Sequence, residues 1–146
     1  MKLARALKDK NKRAKKVATL INRMTTTNSY LEGATPAYDS REVFKEIKTE
    51  IYDFVAFKTA LFDSTSGIRA KIFLISELKN LQRSISIMPV QDGPVQNHYS
   101  TGTVTNYKAN IKEADRDKIL QEIESEIEKL QDEIDTYNAT TELNEF

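Results

Sequence analysis

Leu3, Leu7, Lys10, Ala14, Val17, Ile21, Met24, Asn28 and Leu31 follow one another at alternating steps of four and three residues. That spacing is the a/d stripe of a helix lying along another helix, and it predicts a first helix over residues 2–31. Two seam positions are polar, Lys10 and Asn28. A seam asparagine costs stability and fixes register, so Asn28 suits either a helix-aligning contact or the fraying end of the helix. The pattern returns further on. Phe44, Ile47, Ile51, Phe54, Lys58 and Leu61 predict a second helix over 40–63. Val43, Val55, Phe57 and Phe62 widen its apolar face, so it should be central and covered on more than one side. Ile68, Ile72, Ile75, Leu78, Leu81 and Ile85, broadened by Leu74, predict a third helix over 68–87. Leu120, Ile123, Ile127, Leu130, Ile134 and Tyr137 predict a fourth over 113–138.

Breakers separate these stretches. In LEGATPAYDSRE, Gly33 suits a helix C-terminal cap, Pro36 blocks continuation, and Asp39 with Glu42 spells a capping box. DSTSG punctuates the next junction, and Met88-Pro89 ends the third helix. The expected fold is all-α, one domain over residues 1–146. It is an elongated antiparallel helical bundle or coiled coil of four main helices. A small β-hairpin or irregular insertion stands between helices three and four.

Composition narrows the chemistry. No cysteine is present, which removes disulfides, thiol catalysis and thiolate metal sites, and one histidine cannot build a histidine-rich metal site. No metal and no cofactor are expected. No apolar run reaches the roughly 18 residues of a membrane span, and the N-terminus lacks a secretory pattern. The expectation is therefore a cytoplasmic protein without a membrane partner, in the host cytoplasm if phage-encoded.

The formal net charge is zero, but it is unevenly spread. Residues 1–25 carry +8 and residues 113–146 carry −9. The basic run KDKNKRAKK lacks interleaved aromatics for base stacking, so no nucleic-acid partner is expected. Antiparallel packing of the first and last helices, within one chain or between subunits, would set the opposite charges side by side. Glu122, Glu126 and Glu133 fall on faces expected to be solvated, and no Glu-x-x-His motif joins them. There is no phosphate-binding loop, dinucleotide motif or nucleophile elbow.

One segment does not fit the helical pattern. Residues 88–110 hold the single histidine, two of the six tyrosines and alternating β-formers. Val95, Asn97 and Tyr99 alternate with polar residues, Thr103 to Tyr107 is rich in β-formers, and STGT between them suits a tight turn. So long a non-helical segment is usually functional or disordered, and its aromatics and β-formers argue against disorder. Asn97, His98, Tyr99, Thr103, Asn106, Tyr107 and Lys108 supply neutral hydrogen-bonding groups, two stacking rings and a cation. They suit a small polar ligand with a ring and an anionic group, a protein surface, or strand pairing with a second copy. Asn28 and Tyr30 in the first loop have similar chemistry, and antiparallel first and last helices were expected to bring that loop, Thr25 to Tyr38, near YNATTEL at the C-terminus.

Four short stretches come in a recognisable order: MKLARAL, NSYLEGATPAYD, YKANI and EIDTYNATTEL. Together they resemble the septicolysin-like family of small helical bacterial and phage proteins of unknown function. Asn28, Glu32, Gly33 and Pro36 match the family's first loop, and Asp135 with Asn138 its last. The chain departs at LFDSTSG, where the family often has an Asn-rich turn, so a shared site there is not implied. The family name suggests a cytolysin, but no membrane-inserting segment is present, and that activity is not carried over.

These features lead to a non-enzymatic, homo-oligomeric binding protein, of a kind a phage could use to sequester a small polar or nucleotide-like ligand. The alternative is a structural or adaptor coiled coil, such as a virion component, that binds another protein. An enzyme built on His98 is the third reading.

Overall fold

A computed structural model describes residues 2–62, 67–96 and 103–140. Four helices and one small antiparallel sheet follow in the order α1 (Leu3–Thr27), β1 (Ser29–Leu31), α2 (Ser40–Leu61), α3 (Ile68–Ser86), β2 (Gly93–Gln96), β3 (Val104–Ala109) and α4 (Glu113–Thr140). The chain is mostly helical, and the expected hairpin is present as β2 and β3. Among the described residues, no helix is long and apolar enough to cross a membrane.

Most of the heptad positions in the helices are buried, but Leu3, Leu7, Ile72 and Tyr137 are exposed. Val17, Leu20, Ile21 and Met24 of α1 meet Val43, Ile47, Ile51 and Phe54 of α2 in one core, which continues through Leu78, Leu81 and Ile85 of α3 to Ile123, Ile127 and Ile134 of α4. α2 and α3 form the inner pair; α1 packs mainly on α2 and touches α3, while α4 packs on α3. The broad apolar face of α2 is thus covered from two sides. The N-terminal end of the α1 stripe is open, with Leu3 67% exposed.

Charge pairing takes a different route from the expected one. α1 and α4 are not packing neighbours within the chain. The acidic side chains of α4 that face inward find cations on α2 and α3 instead: Arg41 with Asp115 at 2.7 Å, Lys48 with Glu126 at 3.3 Å and Lys71 with Glu133 at 3.3 Å. On α1, Lys16 pairs with Glu50 of α2 at 2.8 Å. The reason is geometric, because α2 and α3 each carry apolar width enough for two neighbours and so stand between the outer helices.

Lys58, a cation on the apolar seam of α2, is accommodated by aromatic faces. Its ammonium lies 4.4 Å from the Phe73 ring centre and 4.9 Å from that of Phe54, and 4.0 Å from the Glu77 carboxylate. Burial raises the Glu77 carboxyl above its ordinary range, and the Lys58 charge pulls part of the way back. A raised carboxyl contributes stability at low pH that is lost as pH rises through its folded value.

The first helix ends earlier than its heptads imply. Thr25, Thr26 and Thr27 turn their hydroxyls back to the carbonyls of Ile21, Asn22 and Arg23, a habit that competes with helix continuation. Ser29 to Leu31 then leave as strand β1, so the heptad position at Leu31 is not helical. Gly33 is consequently not a helix cap. It sits at φ +89° in the turn after β1, where Ala34 N–H donates to the Leu31 carbonyl at 3.0 Å. Asp39 does cap α2, accepting from Arg41 N–H at 2.9 Å, whereas Glu42 pairs with Lys45 rather than closing the box.

Asn28 is the junction of the fold. It is fully buried, its Nδ2 donates to the carbonyls of Pro89 and Ile111 at 2.9 Å each, and its Oδ1 accepts from Ile111 N–H at 2.8 Å. Its backbone carbonyl accepts from Asn110 N–H at 3.1 Å. One amide therefore holds the end of α1, the exit of α3 and the entry to α4. Asn28→Ala strands two carbonyls and one N–H in the interior and should cost about 3 kcal/mol in urea unfolding. Asn28→Asp, which keeps the shape but turns the donor into an acceptor facing two carbonyls, should cost no less. A loss under about 1 kcal/mol for either would refute this role. For the seam lysine, Lys58→Ala should lower stability by about 1–2 kcal/mol at neutral pH and push the Glu77 carboxyl higher still in an NMR titration.

Candidate functional site

The three strands assemble at the end of the helices where α1 stops and α4 begins. Sheet order is β1-β3-β2, both pairings antiparallel. Ser29, Tyr30 and Leu31 stand opposite Ala109, Lys108 and Tyr107; Gly93, Pro94 and Val95 stand opposite Tyr107, Asn106 and Thr105. β3 is therefore central and joins two segments that lie far apart in the chain.

Strand alternation sorts the candidate residues. Along β3, Val104, Asn106 and Lys108 are exposed, while Thr105, Tyr107 and Ala109 are progressively covered. Residues directly opposite one another share a face, so Tyr30, itself half-buried, joins the exposed Lys108 and Asn106. Tyr107 lies on the other face beside Leu31. Thr103 is exposed just before β3. Asn28 is committed to backbone partners and buried, so it anchors the sheet and leaves the ligand-facing set. Asn97, His98 and Tyr99 lie outside the described residues.

The sheet is fixed to the helices at its root. Asp92 Oδ1 accepts from Ala109 N–H at 3.0 Å, and its Oδ2 lies 3.5 Å from the Lys112 ammonium. The backbone donor and then the Lys112 charge hold the Asp92 carboxyl below its usual range. Arg41, from the start of α2, donates to the Asn110 carbonyl at 2.9 Å and reaches Asp115 of α4. Ser29 Oγ donates to the Gln91 carbonyl at 2.9 Å. Asp92, Arg41 and Ser29 were not among the residues singled out from the sequence. A lone aspartate before a Gly-Pro gives only a turn signal, and an arginine one step inside a helix reads as solvated.

The Thr25–Tyr38 loop does not meet the C-terminal YNAT. α1 and α4 run in opposite directions, so the end of α1 lies beside the beginning of α4, and Tyr137 to Thr140 are at the far end. The loop's partner is β3 instead.

Open grooves lie elsewhere on the molecule, one of about 640 Å3 along α4 lined by Lys71, Glu128, Asp132, Glu133 and Tyr137. Another, of about 440 Å3, runs between α1 and α3, lined by Ile21, Asn22, Thr25, Ser84, Ile87 and Pro89, with Ile87 79% exposed. Tyr52 of α2 donates its hydroxyl to Glu126, and partial burial together with that carboxylate pushes it up to about 12. It bridges helices rather than facing a cavity. Among the described residues no group of three or more histidine, cysteine or acidic side chains is placed to hold a metal. No family model, curated protein or solved structure matches the chain. The loop motif of Asn28, Glu32, Gly33 and Pro36 therefore rests on its own geometry, a buried anchor followed by a tight turn.

Asp92 is the pH-sensitive part of this site. A depressed carboxyl contributes stability above its unfolded value that is lost as pH falls through the folded one. The protection factor of the Ala109 amide, its exchange measured against the intrinsic rate at each pH, should fall on acidification below about pH 4, and Asp92→Asn should show the lower protection already at neutral pH. Equal protection in both proteins across that range would exclude the clamp.

Proposed function

We propose that this chain is a non-enzymatic, homo-oligomeric binding protein whose sheet takes a small polar ligand carrying a ring and an anionic group, of the nucleotide type. The helices serve as a heptad-built antiparallel bundle, and the setting is cytoplasmic, as for a phage protein that sequesters a host molecule. The observation that carries the reading is the strand register: Tyr30 stands directly across from Lys108, with Asn106 one step along the same open face. A half-buried phenol ring, an exposed cation and an exposed amide from two distant segments share that face. Lys108 would meet the anionic group, Tyr30 would stack, and Asn106 would read polar edges. Thr103, with Asn97, His98 and Tyr99, completes the proposed set, whereas Tyr107, on the opposite face of the sheet, leaves it.

A second reading is a structural or adaptor protein that binds another chain. It is favoured by apolar side chains left open on the helices and at their ends, Ile87 just after α3 and Leu3 of α1 above all, with Ile72 of α3.

Purified protein should release a bound small molecule on denaturation, identified by mass spectrometry. Lys108→Ala and Tyr30→Ala should each reduce the released amount at least about tenfold, equivalent to about 1.4 kcal/mol of binding, with helicity and assembly mass unchanged. Release that is absent from the wild-type protein, or equal in both variants, sinks the ligand reading. A changed assembly mass or a lost protein partner in the variants supports the adaptor.

A further inference from the structure

α1 and α4 flank the α2/α3 pair without packing on each other, and each carries a stripe of exposed like charge along one side. On α1, Arg5, Lys8, Lys12 and Lys15 are all exposed. At 3.6 residues per turn they lie within about a quarter-turn of one another, opposite the side that buries Ala6, Val17 and Met24. Among the described residues none of the four is in an ion pair. On α4, Glu124, Glu128, Asp132 and Asp135 are exposed on one side of the helix. None of these is in an ion pair among the described residues either, although Glu124 accepts from Gln82 and Asp135 from Gln131.

Each stripe is unfavourable alone. Like charges three and four residues apart repel along a helix. α1 also begins with no acidic residue in its first turn and no side-chain cap, so its cations oppose the helix dipole. Opposite charge laid alongside relieves both.

The stripes match in length and direction. Lys16 pairs with Glu50, and Glu126 with Lys48, which sets the upper ends of both stripes about one helical turn apart along α2. From there the α1 stripe spans about 15 Å and the α4 stripe about 17 Å, both toward the end away from the sheet. The helices run antiparallel, so a neighbouring copy set alongside with an axial offset of about one helical turn brings Arg5 to Asp135, Lys8 to Asp132, Lys12 to Glu128 and Lys15 to Glu124.

We propose that a second copy of this chain docks here, the α1 stripe of one molecule against the α4 stripe of the next. This rests on the oligomeric half of the function proposed above and supplies its interface. The contact is front to back, so it either closes into a ring or continues as a stack. A polyanion such as duplex DNA is the competing occupant of the α1 stripe, but it leaves the α4 stripe unanswered.

Sedimentation velocity at about 50 mM and about 500 mM salt tests this with two charge-reversed proteins. One carries Arg5→Glu, Lys8→Glu, Lys12→Glu and Lys15→Glu; the other carries Glu124→Lys, Glu128→Lys, Asp132→Lys and Asp135→Lys. Wild-type protein should assemble at low salt and dissociate toward monomer at high salt. Each reversed protein should be monomeric, and an equimolar mixture should assemble again, because each reversed stripe then meets its reversed partner. If wild type and both variants assemble alike, this interface falls and the oligomeric reading stands. If wild type is monomeric at low salt, both fall. Failure of the mixture to reassemble refutes the pairing. So does retention of a duplex oligonucleotide by the α1 stripe in a protein whose mass ignores salt. Should a reversed protein lose helicity, the milder Lys8→Gln/Lys12→Gln protein must associate at least tenfold more weakly than wild type at low salt, or the proposal fails.

Discussion

The side-chain amide of Asn28 is the interaction on which the arrangement of this chain depends. Its donor and acceptor are both saturated by backbone from segments 61 and 83 residues away in sequence. A buried polar side chain satisfied in this way has one arrangement open to it, and every shift of its neighbours leaves a group unpaired. The helices contribute most of the apolar burial, but apolar stripes tolerate sliding. The amide does not, and it sets where α1 stops, where α3 leaves and where α4 starts. Strand β1 follows directly from that fixed point, and so does its pairing with β3.

The helices were legible because their signal is redundant. Several apolar residues at heptad spacing agree on each of them, and observed ends for α2, α3 and α4 fall within two residues of those expected. The end of α1 was not legible. Heptad positions continued through Asn28 to Leu31, and only the competing hydroxyls of Thr25 to Thr27 and the tertiary partners of Asn28 show why the helix yields. Those partners are carbonyls, which carry no residue identity to read. The hairpin was visible in the alternation around Val95 and Thr105, whereas the third strand was hidden inside a helical pattern. The grouping of Tyr30 with Lys108 and Asn106 depends on register between distant segments, so the residues were nameable in advance but their shared face was not. The association of α1 with α4 inside one chain failed because sequence charge says which surfaces attract, not which helix stands between them.

Electrostatics here divides into two layers. Inward-facing carboxylates of α4 are matched on α2 and α3, and Lys58 is held by two aromatic rings beside Glu77. These contacts operate where solvent is partly excluded and screening is weak. The outer stripes of α1 and α4 are in water, where single pairs are worth little and only summed complementarity has an effect. Salt should therefore act on the outside of the molecule well before it acts on the packing of the helices.

The distance in sequence between Asn28 and its partners also has a kinetic meaning. α1 with α2, and α2 with α3, are neighbours along the chain and close comparatively short connections, whereas the segment holding β2 and β3 separates α3 from α4. The sheet requires Ser29 to Leu31 to find residues beyond Val104, which is a long-range closure that is slow relative to helix pairing. The strands that carry the open face thus depend on one of the most distant closures in the fold. They are also held by few residues at one end, so the surface that distinguishes this protein from a plain helical scaffold is the one most sensitive to any loosening of the whole.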